Sequence, residues 1–265
     1  MANTATEYTM LRSASELRGN TIEGTDGPVG SVADLLFDDE RWTVRWVVAD
    51  TGSWLTGRQV LLAPEASGTP DATRGRLPVR LTRKQVEDSP PVGSDEPVSR
   101  QMQGRIYDYY GWAPYWGAYG AFPAQPDWGL AGGPPVPGAP AVPPLKAAGG
   151  EAEGGDPHLR SAGEVTGYYI KARDGDLGHV EDLLVEDEGW AVRYLVVDTK
   201  NWWPGKKVLV AKDWVTDVSW SEQQVSVELT REQIKASPEH DPSGTVERDY
   251  EERLHAHYGR VGYWL

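Results

Sequence analysis

The sequence repeats itself once along its length. The segment 11–14, Leu-Arg-Ser-Ala, returns as 159–162, an offset of 148 residues. The same offset relates later motifs without a gap, and about half of the positions from 11 to 62 are identical to their partners. A period this long corresponds to a whole domain that can bury its own core, whereas a solenoid repeats over much shorter intervals. The chain is therefore predicted to be a tandem duplication of one small domain.

The repeat sets the predicted domain boundaries. Residues 1–120 form copy one with its C-terminal helix and aromatic tail, and residues 159–265 form copy two with the same parts. Between them, residues 121–158 are rich in Pro, Gly and Ala. Such a segment has too little apolar surface to offset the entropy lost on ordering. It is predicted to be an extended, semi-flexible linker.

Each copy has the pattern of a small β domain. Asp-Gly pairs at 26–27 and 174–175 are typical of tight hairpin turns. Gly30 and Gly178 lie inside predicted strands, where a glycine indicates a bend or a close approach of backbones. Short strands with turns every eight to twelve residues, and no βαβ spacing, predict a mainly β fold of two small antiparallel barrels.

Short helices are predicted from capping motifs. Ser13-x-x-Glu16 and Thr82-x-x-Gln85 have the spacing of capping boxes, and both return in copy two. A longer helix closes each copy, at about 98–109 and 246–258. Residues 66–71 have a loop composition where copy two has a strand, so copy one is predicted to have lost or shortened one strand.

The ordered motifs resemble the PRC-barrel domain family, named for the photosynthetic reaction-centre H subunit. The resemblance covers roughly residues 9–90 and 157–238. In copy one it rests on Ser-Ala-x-Glu at 13–16, Gly19, Asp-Gly at 26–27, Gly30, Val-x-Asp-Leu-Leu at 32–36, Trp-x-Val-Arg at 42–45, Asp-Thr at 50–51 and Leu-Thr-x-x-Gln at 81–85. The tail helix with its Tyr-Gly and Tyr-Trp pairs is similar to the C-terminal extension of stand-alone bacterial members.

The resemblance implies two six-stranded barrels, used mainly as platforms for protein interaction. The H subunit carries an N-terminal membrane helix that this sequence lacks. The ribosome-maturation factor that contains the same barrel has a different preceding domain. The resemblance therefore implies a fold and a mode of use. An accessory role in a photosynthetic or electron-transport complex follows from the resemblance as an alternative.

Charge and composition exclude several classes of function. The net charge is −14, and nucleic-acid binding requires a basic stripe that displaces counterions from phosphates. No run of about 18 apolar residues predicts a membrane helix, and residues 1–4 do not begin a signal peptide. The chain contains no cysteine, which removes thiolate metal sites and cysteine nucleophiles. A cytoplasmic protein is predicted.

No residue pattern predicts catalysis, a cofactor or a metal ion. Asp34 and Asp50, which recur in copy two as Asp182 and Asp198, could serve acid–base chemistry, but the prediction is that they accept backbone N–H bonds in turns. The acidic turns 38–40 and 186–188 could bind calcium, but solvated hairpin tips are favoured. His255 and His257 point to different sides of a helix and are expected to be solvated. The chain is predicted not to be an enzyme.

Aromatic residues supply the candidate interaction surface. The chain has 12 Trp and 12 Tyr but only 2 Phe, and large side chains with a polar tip are enriched at interfaces. Packing of each tail against its own barrel is the equally weighted alternative. The candidate residues are Trp54, Trp202, Trp203, Tyr110, Trp112, Trp116, Tyr258, Tyr263 and Trp264.

Taken together, these features predict a non-enzymatic assembly module. Its partner is expected to be a protein or a second copy of the chain, giving a homo-oligomer or an intramolecular pseudo-dimer. The alternative is a protein that binds a small ligand or cofactor in a barrel mouth or in the groove between the copies.

Overall fold

A computed structural model describes residues 10–55, 57–90, 92, 98–116, 156, 158–199 and 205–265. The chain divides into two compact units, Met1–Glu96 together with Pro157–Leu265, and Pro97–Asp156. The first unit contains the sheets of both copies. Most of the predicted linker lies outside the described residues, so its extended character stays a prediction.

The prediction of a mainly β chain is confirmed by the order of its elements. Copy one contains β1 (Leu11–Ser13), α1 (Ala14–Leu17), β2 (Thr21–Gly24), β3 (Gly27–Asp38), β4 (Thr43–Asp50), β5 (Gln59–Leu62), β6 (Arg76–Pro78), α2 (Arg83–Asp88) and α3 (Arg100–Tyr110). Copy two contains β7 (Leu159–Ser161), α4 (Ala162–Val165), β8 (Tyr169–Ala172), β9 (Gly175–Glu186), β10 (Val192–Asp198), β11 (Lys207–Ala211), β12 (Val215–Ser219), β13 (Gln224–Val227), α5 (Arg231–Ala236) and α6 (Arg248–Tyr258).

The strands form two sheets, one built on each copy. Their orders are β5-β4-β3-β2-β6 and β11-β10-β9-β8-β13-β12. The counterpart of β12 in copy one is reduced to two isolated bridges, Ser67 with Val79 and Asp71 with Arg76, which confirms the predicted shortening. Among the described residues the path of neither sheet returns to its first strand, so two closed barrels stay a prediction.

The predicted purely antiparallel pairing is wrong at one strand pair in each sheet. β6 runs parallel to β2, and β13 runs parallel to β8. The last strand of each copy, β6 or β13, lies beside the first strand of the β2–β3 or β8–β9 hairpin. The chain reaches this position only after it has passed from one edge of the sheet to the other. It therefore arrives from the same end as the hairpin's first strand, and a parallel pair results.

The sheet of copy two is strongly curled. β11 and β12 are the two ends of the strand path, which a flat sheet would hold about 24 Å apart at ~4.8 Å per strand. Only Lys212–Trp214 separate them in sequence, and that connection spans at most about 14 Å. The two edges must therefore approach each other.

The strand glycines mark close backbone approaches, as predicted. A Cβ on Gly178, whose φ is +63°, would lie 2.0 Å from the carbonyl oxygen of Asp198. At Gly30 the corresponding distance to the oxygen of Asp50 is 2.2 Å. These positions let β3 and β9 bend against the ends of β4 and β10.

No described helix is long and apolar enough to cross a membrane.

The capping boxes of α2 and α5 are confirmed. The Thr230 hydroxyl accepts the Gln233 N–H at 3.2 Å, and the Gln233 side chain accepts the Thr230 N–H at 2.9 Å. Thr82 and Gln85 make the same pair of bonds.

Replacing the α5 cap is expected to have a moderate effect. Thr230→Ala removes one acceptor from the first turn, so the free energy of unfolding should fall by about 1 kcal/mol in urea titrations. The control Ser221→Ala, in an exposed turn, should change it by less than about 0.5 kcal/mol. Equal losses in the two variants would contradict a role for the cap.

Candidate functional site

The two copies exchange their first strands. β1 of copy one pairs antiparallel with Leu184–Glu186 of β9, and β7 of copy two pairs antiparallel with Leu36–Asp38 of β3. Each copy thus completes the sheet of the other. The exchange lies within a single compact unit of the chain.

The length of β3 and β9 explains why each sheet accepts a foreign strand. β2 pairs with residues 27–31 of β3, and β8 pairs with residues 175–179 of β9. The second half of each long strand therefore presents backbone groups beyond the reach of its own hairpin. An open edge of this kind is a template for another strand, and the exchanged strand satisfies its N–H and C=O groups.

Asp182 fixes the exchanged end of copy one. Its carboxylate accepts hydrogen bonds from the hydroxyls of Ser13 and Ser15 and from the Ser15 N–H at 3.1 Å. It also accepts the N–H of its neighbour Leu183 at 2.8 Å. Bonds to an ionised acceptor are stronger than neutral ones, so this side chain joins β9 to the end of β1 and to α1.

Asp34 plays the same part for copy two. It accepts the hydroxyl of Ser161, the N–H of Gly163 at 3.0 Å and the N–H of Leu35 at 2.8 Å. Gly163 stands where copy one has Ser15, so this carboxylate receives one hydroxyl fewer. We refer to Asp34 and Asp182 with these partners as the carboxylate clamps.

The clamps correct two predictions. Asp34 and Asp182 lie inside strands, next to a register shift in each case, and bind the opposite copy in addition to a neighbouring N–H. Ser13 makes no capping bond to its own helix, and its hydroxyl is donated to Asp182. Ser161 both caps α4 and donates to Asp34. By contrast, Asp50 accepts the Gly52 N–H at 2.8 Å, as predicted for a turn residue.

Two tryptophan turns meet between the clamps. Trp42 and Trp190 have φ of 53° and 55°, values that a bulky residue rarely adopts. The Trp42 carbonyl accepts the N–H of Val192 at 2.7 Å, and the Trp190 carbonyl accepts the N–H of Val44 at 2.8 Å. The unusual backbone of each turn therefore directs its carbonyl to the other copy, and both indoles are buried.

The acidic turns are part of this interface, which corrects the prediction of solvated hairpin tips. Asp38 is buried, and its carboxylate accepts the N–H groups of Glu40 and Arg41 at 3.0 and 3.1 Å. Asp39 pairs with Arg160 at 2.6 Å, and Asp187 lies 3.8 Å from Arg12 in the equivalent place. Among the described residues, no group of three or more acidic and histidine side chains is placed to hold a metal ion.

The predicted aromatic residues fall into three groups: those outside the described residues, those in the unit Pro97–Asp156 and those in the tail of copy two. Trp202, Trp203 and the Trp54 side chain lie outside the described residues. In the unit Pro97–Asp156, Tyr110 stacks on Trp112 at 4.2 Å. Trp116 is half-buried and lies edge-on to Tyr107 at 5.4 Å.

The aromatic tail of copy two folds back onto the protein. Tyr258 packs 4.5 Å from Trp214, and Tyr263 and Trp264 are half-buried beside α6. A role for these residues in binding a partner stays a prediction. Sequence reasoning missed the exposed Tyr169 and Trp220, which single residues in a strand and a turn do not reveal.

His255 differs from the expectation of a solvated residue. It is 4% exposed, whereas His257 is exposed. The tail segment that follows α6 covers His255, and helical spacing alone could not predict that cover.

A shallow cavity of about 580 Å³ lies near the start of β11 and is lined in part by Lys206, Lys207 and His240. Its lysines already have protein acceptors, since Lys206 donates to the Ser237 carbonyl at 2.5 Å and Lys207 pairs with Glu181. Its lining residues all belong to copy two, so it is not the groove between the copies, and the ligand-binding alternative stays a prediction.

No protein-family model matches the chain, and no curated protein is similar enough to be counted as a match.

Proposed function

We propose that this protein is a non-enzymatic assembly module that joins β domains by strand exchange. The observation that carries the proposal is the reciprocal pairing of β1 with β9 and of β7 with β3, each fixed by a carboxylate clamp. The protein partner is a domain of the same kind, in the same chain or in a second one.

The fold that we propose for each copy is a PRC-type barrel. The resemblance of the ordered motifs supports it, and so does the curl that brings the edges β11 and β12 together. Strand glycines at the bends add to that support, because small barrels need sharp local curvature. An interaction platform is the use that the resemblance implies.

The exchanged segments share most of their contact residues, which supports a partner in a second chain. Residues 11–14 and 159–162 are identical, and each sheet offers the same acceptors, Asp34 with Asp39 and Asp182 with Asp187. A segment from another chain therefore meets the same donors, acceptors and register. Exchange within the chain is favoured at low concentration, because its two copies are tethered. Exchange between chains should increase with concentration, giving a cytoplasmic homo-oligomer.

Cysteine cross-linking tests this proposal cleanly, because the natural chain contains no cysteine. Leu11 lies directly opposite Glu186, and Cα atoms of opposite residues are separated by about 4.5–5.5 Å, within disulfide range. Chains carrying only Leu11→Cys and chains carrying only Glu186→Cys are unfolded together, refolded at increasing concentration and oxidised. We expect a disulfide-linked dimer whose yield rises with concentration.

The matched control mixes Leu11→Cys chains with Lys171→Cys chains, whose cysteine lies on β8 away from β1. The double variant Leu11→Cys/Glu186→Cys should form the bond within one chain and so verifies the register. A yield in the test mixture no higher than in the control, at the highest concentration, would limit exchange to the copies of one chain and exclude a partner in a second chain.

A further inference from the structure

The cavity of copy two takes no part in the exchange of strands. It has a volume of about 580 Å³ and lies between the start of β11 and the segment 239–242, which follows α5. Lys206 and Lys207 line one side, and Glu239, His240 and Asp241 line the other. Because all of these residues belong to copy two, the cavity does not depend on which chain supplies the exchanged strands.

His240 is the unusual residue of this lining. It is only 7% exposed, yet its imidazole makes no hydrogen bond to the described residues. Its backbone N–H donates to the Lys207 carbonyl at 2.8 Å, and its ring lies 6.2 Å from the ring of Tyr250. Buried polar groups without a partner are rare in folded proteins. Since His240 lines the cavity, a ligand bound there can supply the missing partner.

The imidazole is neutral at neutral pH. Burial lowers the pKa of His240, and Lys207 adds to this shift, whereas Asp241, Glu181 and Asp182 oppose it. A neutral ring has one N–H donor and one bare nitrogen that accepts. The bare nitrogen can accept a hydrogen from an ammonium group, which a protonated ring would repel.

The two sides of the cavity carry opposite charges. Each of the lysines 206 and 207 already donates one hydrogen to the protein, but an ammonium group has three and keeps others for a ligand. On the other side are the carboxylates of Glu239 and Asp241, and Glu239 forms no ion pair with the described residues. A ligand that matches both sides has an anionic end for the lysines and a cationic end for the segment 239–241.

Other classes of ligand fit this lining less well. Within the described part of the chain, no three acidic or histidine side chains are placed to hold a metal ion. A phosphate group would meet carboxylates beside the lysines, and a simple cation would meet lysines beside the carboxylates. A zwitterion meets each charge with its opposite, and it adds no net charge to a protein that already carries −14.

Copy one shows that the fold does not need this imidazole. The offset of 148 places Val92 opposite His240 and Gln59 opposite Lys207. The backbone contact is the same in both copies, since the Val92 N–H donates to the Gln59 carbonyl at 3.4 Å. The acidic residues of the lining also have uncharged counterparts, Pro91 and Gly93. The ionisable side chains at these positions therefore do not serve the fold that the copies share.

We propose that this cavity binds a small zwitterion of the α-amino acid type. Lys206 and Lys207 bind its carboxylate. Glu239 and Asp241 bind its ammonium group, and His240 accepts one of the ammonium hydrogens. The site is independent of strand exchange, because each of its residues lies in copy two.

Calorimetric titration of the full chain with each of the twenty common L-amino acids identifies the ligand. The best binder is then compared with its amide, which keeps the α-ammonium group, and with its N-acetyl form, which keeps the α-carboxylate. Each analogue lacks one set of charged hydrogen bonds, so each should bind about tenfold more weakly or worse. Absence of binding by every amino acid, or an analogue that binds as tightly as its parent, would overturn the zwitterion.

Replacement of the imidazole tests the position of the site. His240→Val introduces the copy-one residue and should leave the fold intact, because Val92 has the same backbone contact. The variant lacks the ring acceptor, so its affinity for the amino acid should fall by about tenfold. The matched control is His257→Gln, which changes an exposed histidine outside the cavity lining and should keep the natural affinity.

A second variant decides the outcome even if His240→Val does not fold. Glu239→Gln changes an exposed side chain and should weaken binding of the amino acid and of the amide, whereas the N-acetyl form should bind as it does to the natural chain. An equal effect on all three ligands contradicts the proposed orientation. Natural affinity in every folded cavity variant would place the binding elsewhere on the protein and overturn the site.

Discussion

Gly178→Ala is expected to lower the free energy of unfolding by about 3 kcal/mol. The new methyl group would lie 2.0 Å from the Asp198 carbonyl oxygen, a backbone atom that cannot turn aside. Separating β9 from the end of β10 costs about 2 kcal/mol, as in other overpacked sites. The left-handed backbone at this residue, with φ of +63°, adds about 1 kcal/mol once a Cβ is present.

The natural control is Gly167→Ala in the same copy. Gly167 has a φ of +101°, but a Cβ there would meet no atom within 4 Å. It should therefore show only the backbone penalty, about 1 kcal/mol. Urea titrations followed by circular dichroism measure both variants. If the two substitutions cost the same, the close approach at Gly178 does not strain the strand.

Asp182→Ala is expected to cost a similar amount, about 3 kcal/mol, by opening one carboxylate clamp. The substitution leaves the N–H groups of Ser15 and Leu183 and two serine hydroxyls without their acceptor. A buried donor that loses its partner costs about 1–3 kcal/mol, and the Leu183 bond is buried, while the three serine bonds are part-buried and add smaller amounts. Asp182→Asn keeps an acceptor oxygen and the shape of the side chain, so it should cost only about 1 kcal/mol.

Comparison of the two clamps tests whether they hold the exchanged ends. Asp34→Ala should be milder than Asp182→Ala, because Gly163 supplies no hydroxyl to Asp34. Asp217→Ala, on the exposed face of β12, is the matched control and should stay within about 0.5 kcal/mol of the natural chain. Unfolding free energies rank the four variants. A clamp variant as stable as the control would show that strand pairing alone holds the two copies together.

Local chemistry made much of the fold predictable. The Thr82 and Thr230 capping boxes depend on neighbours three residues away, and the Gly178 approach is visible as a glycine where a strand residue is expected. The parallel partners of β2 and β8 were not predictable in this way. These pairings depend on where the chain returns after it crosses the sheet. A short stretch of sequence does not contain that information.

The exchange of strands between the copies could not be predicted, because the two copies have the same motifs. From the residue types alone, Asp34 and Asp182 are equally suitable acceptors for the Ser13 hydroxyl, because both copies carry the same motif. The Ser13-x-x-Glu16 spacing also fits a capping box, so residue types alone do not distinguish a bond within the helix turn from a bond across the copies. The burial of His255 could not be predicted for a related reason, since the segment that covers it lies beyond the helix.

Strand exchange has a consequence for synthesis on the ribosome. The Asp34–Ser161 bond spans 127 residues of sequence, so the edge of β3 emerges long before its partner β7. At translation rates of about 5–20 residues per second, that edge waits on the order of ten seconds. Nascent chains on one messenger RNA are close neighbours during this interval, and each carries a free β1 and an unfilled β3. If strands are exchanged between chains as proposed, synthesis on crowded polysomes is the stage that most favours it.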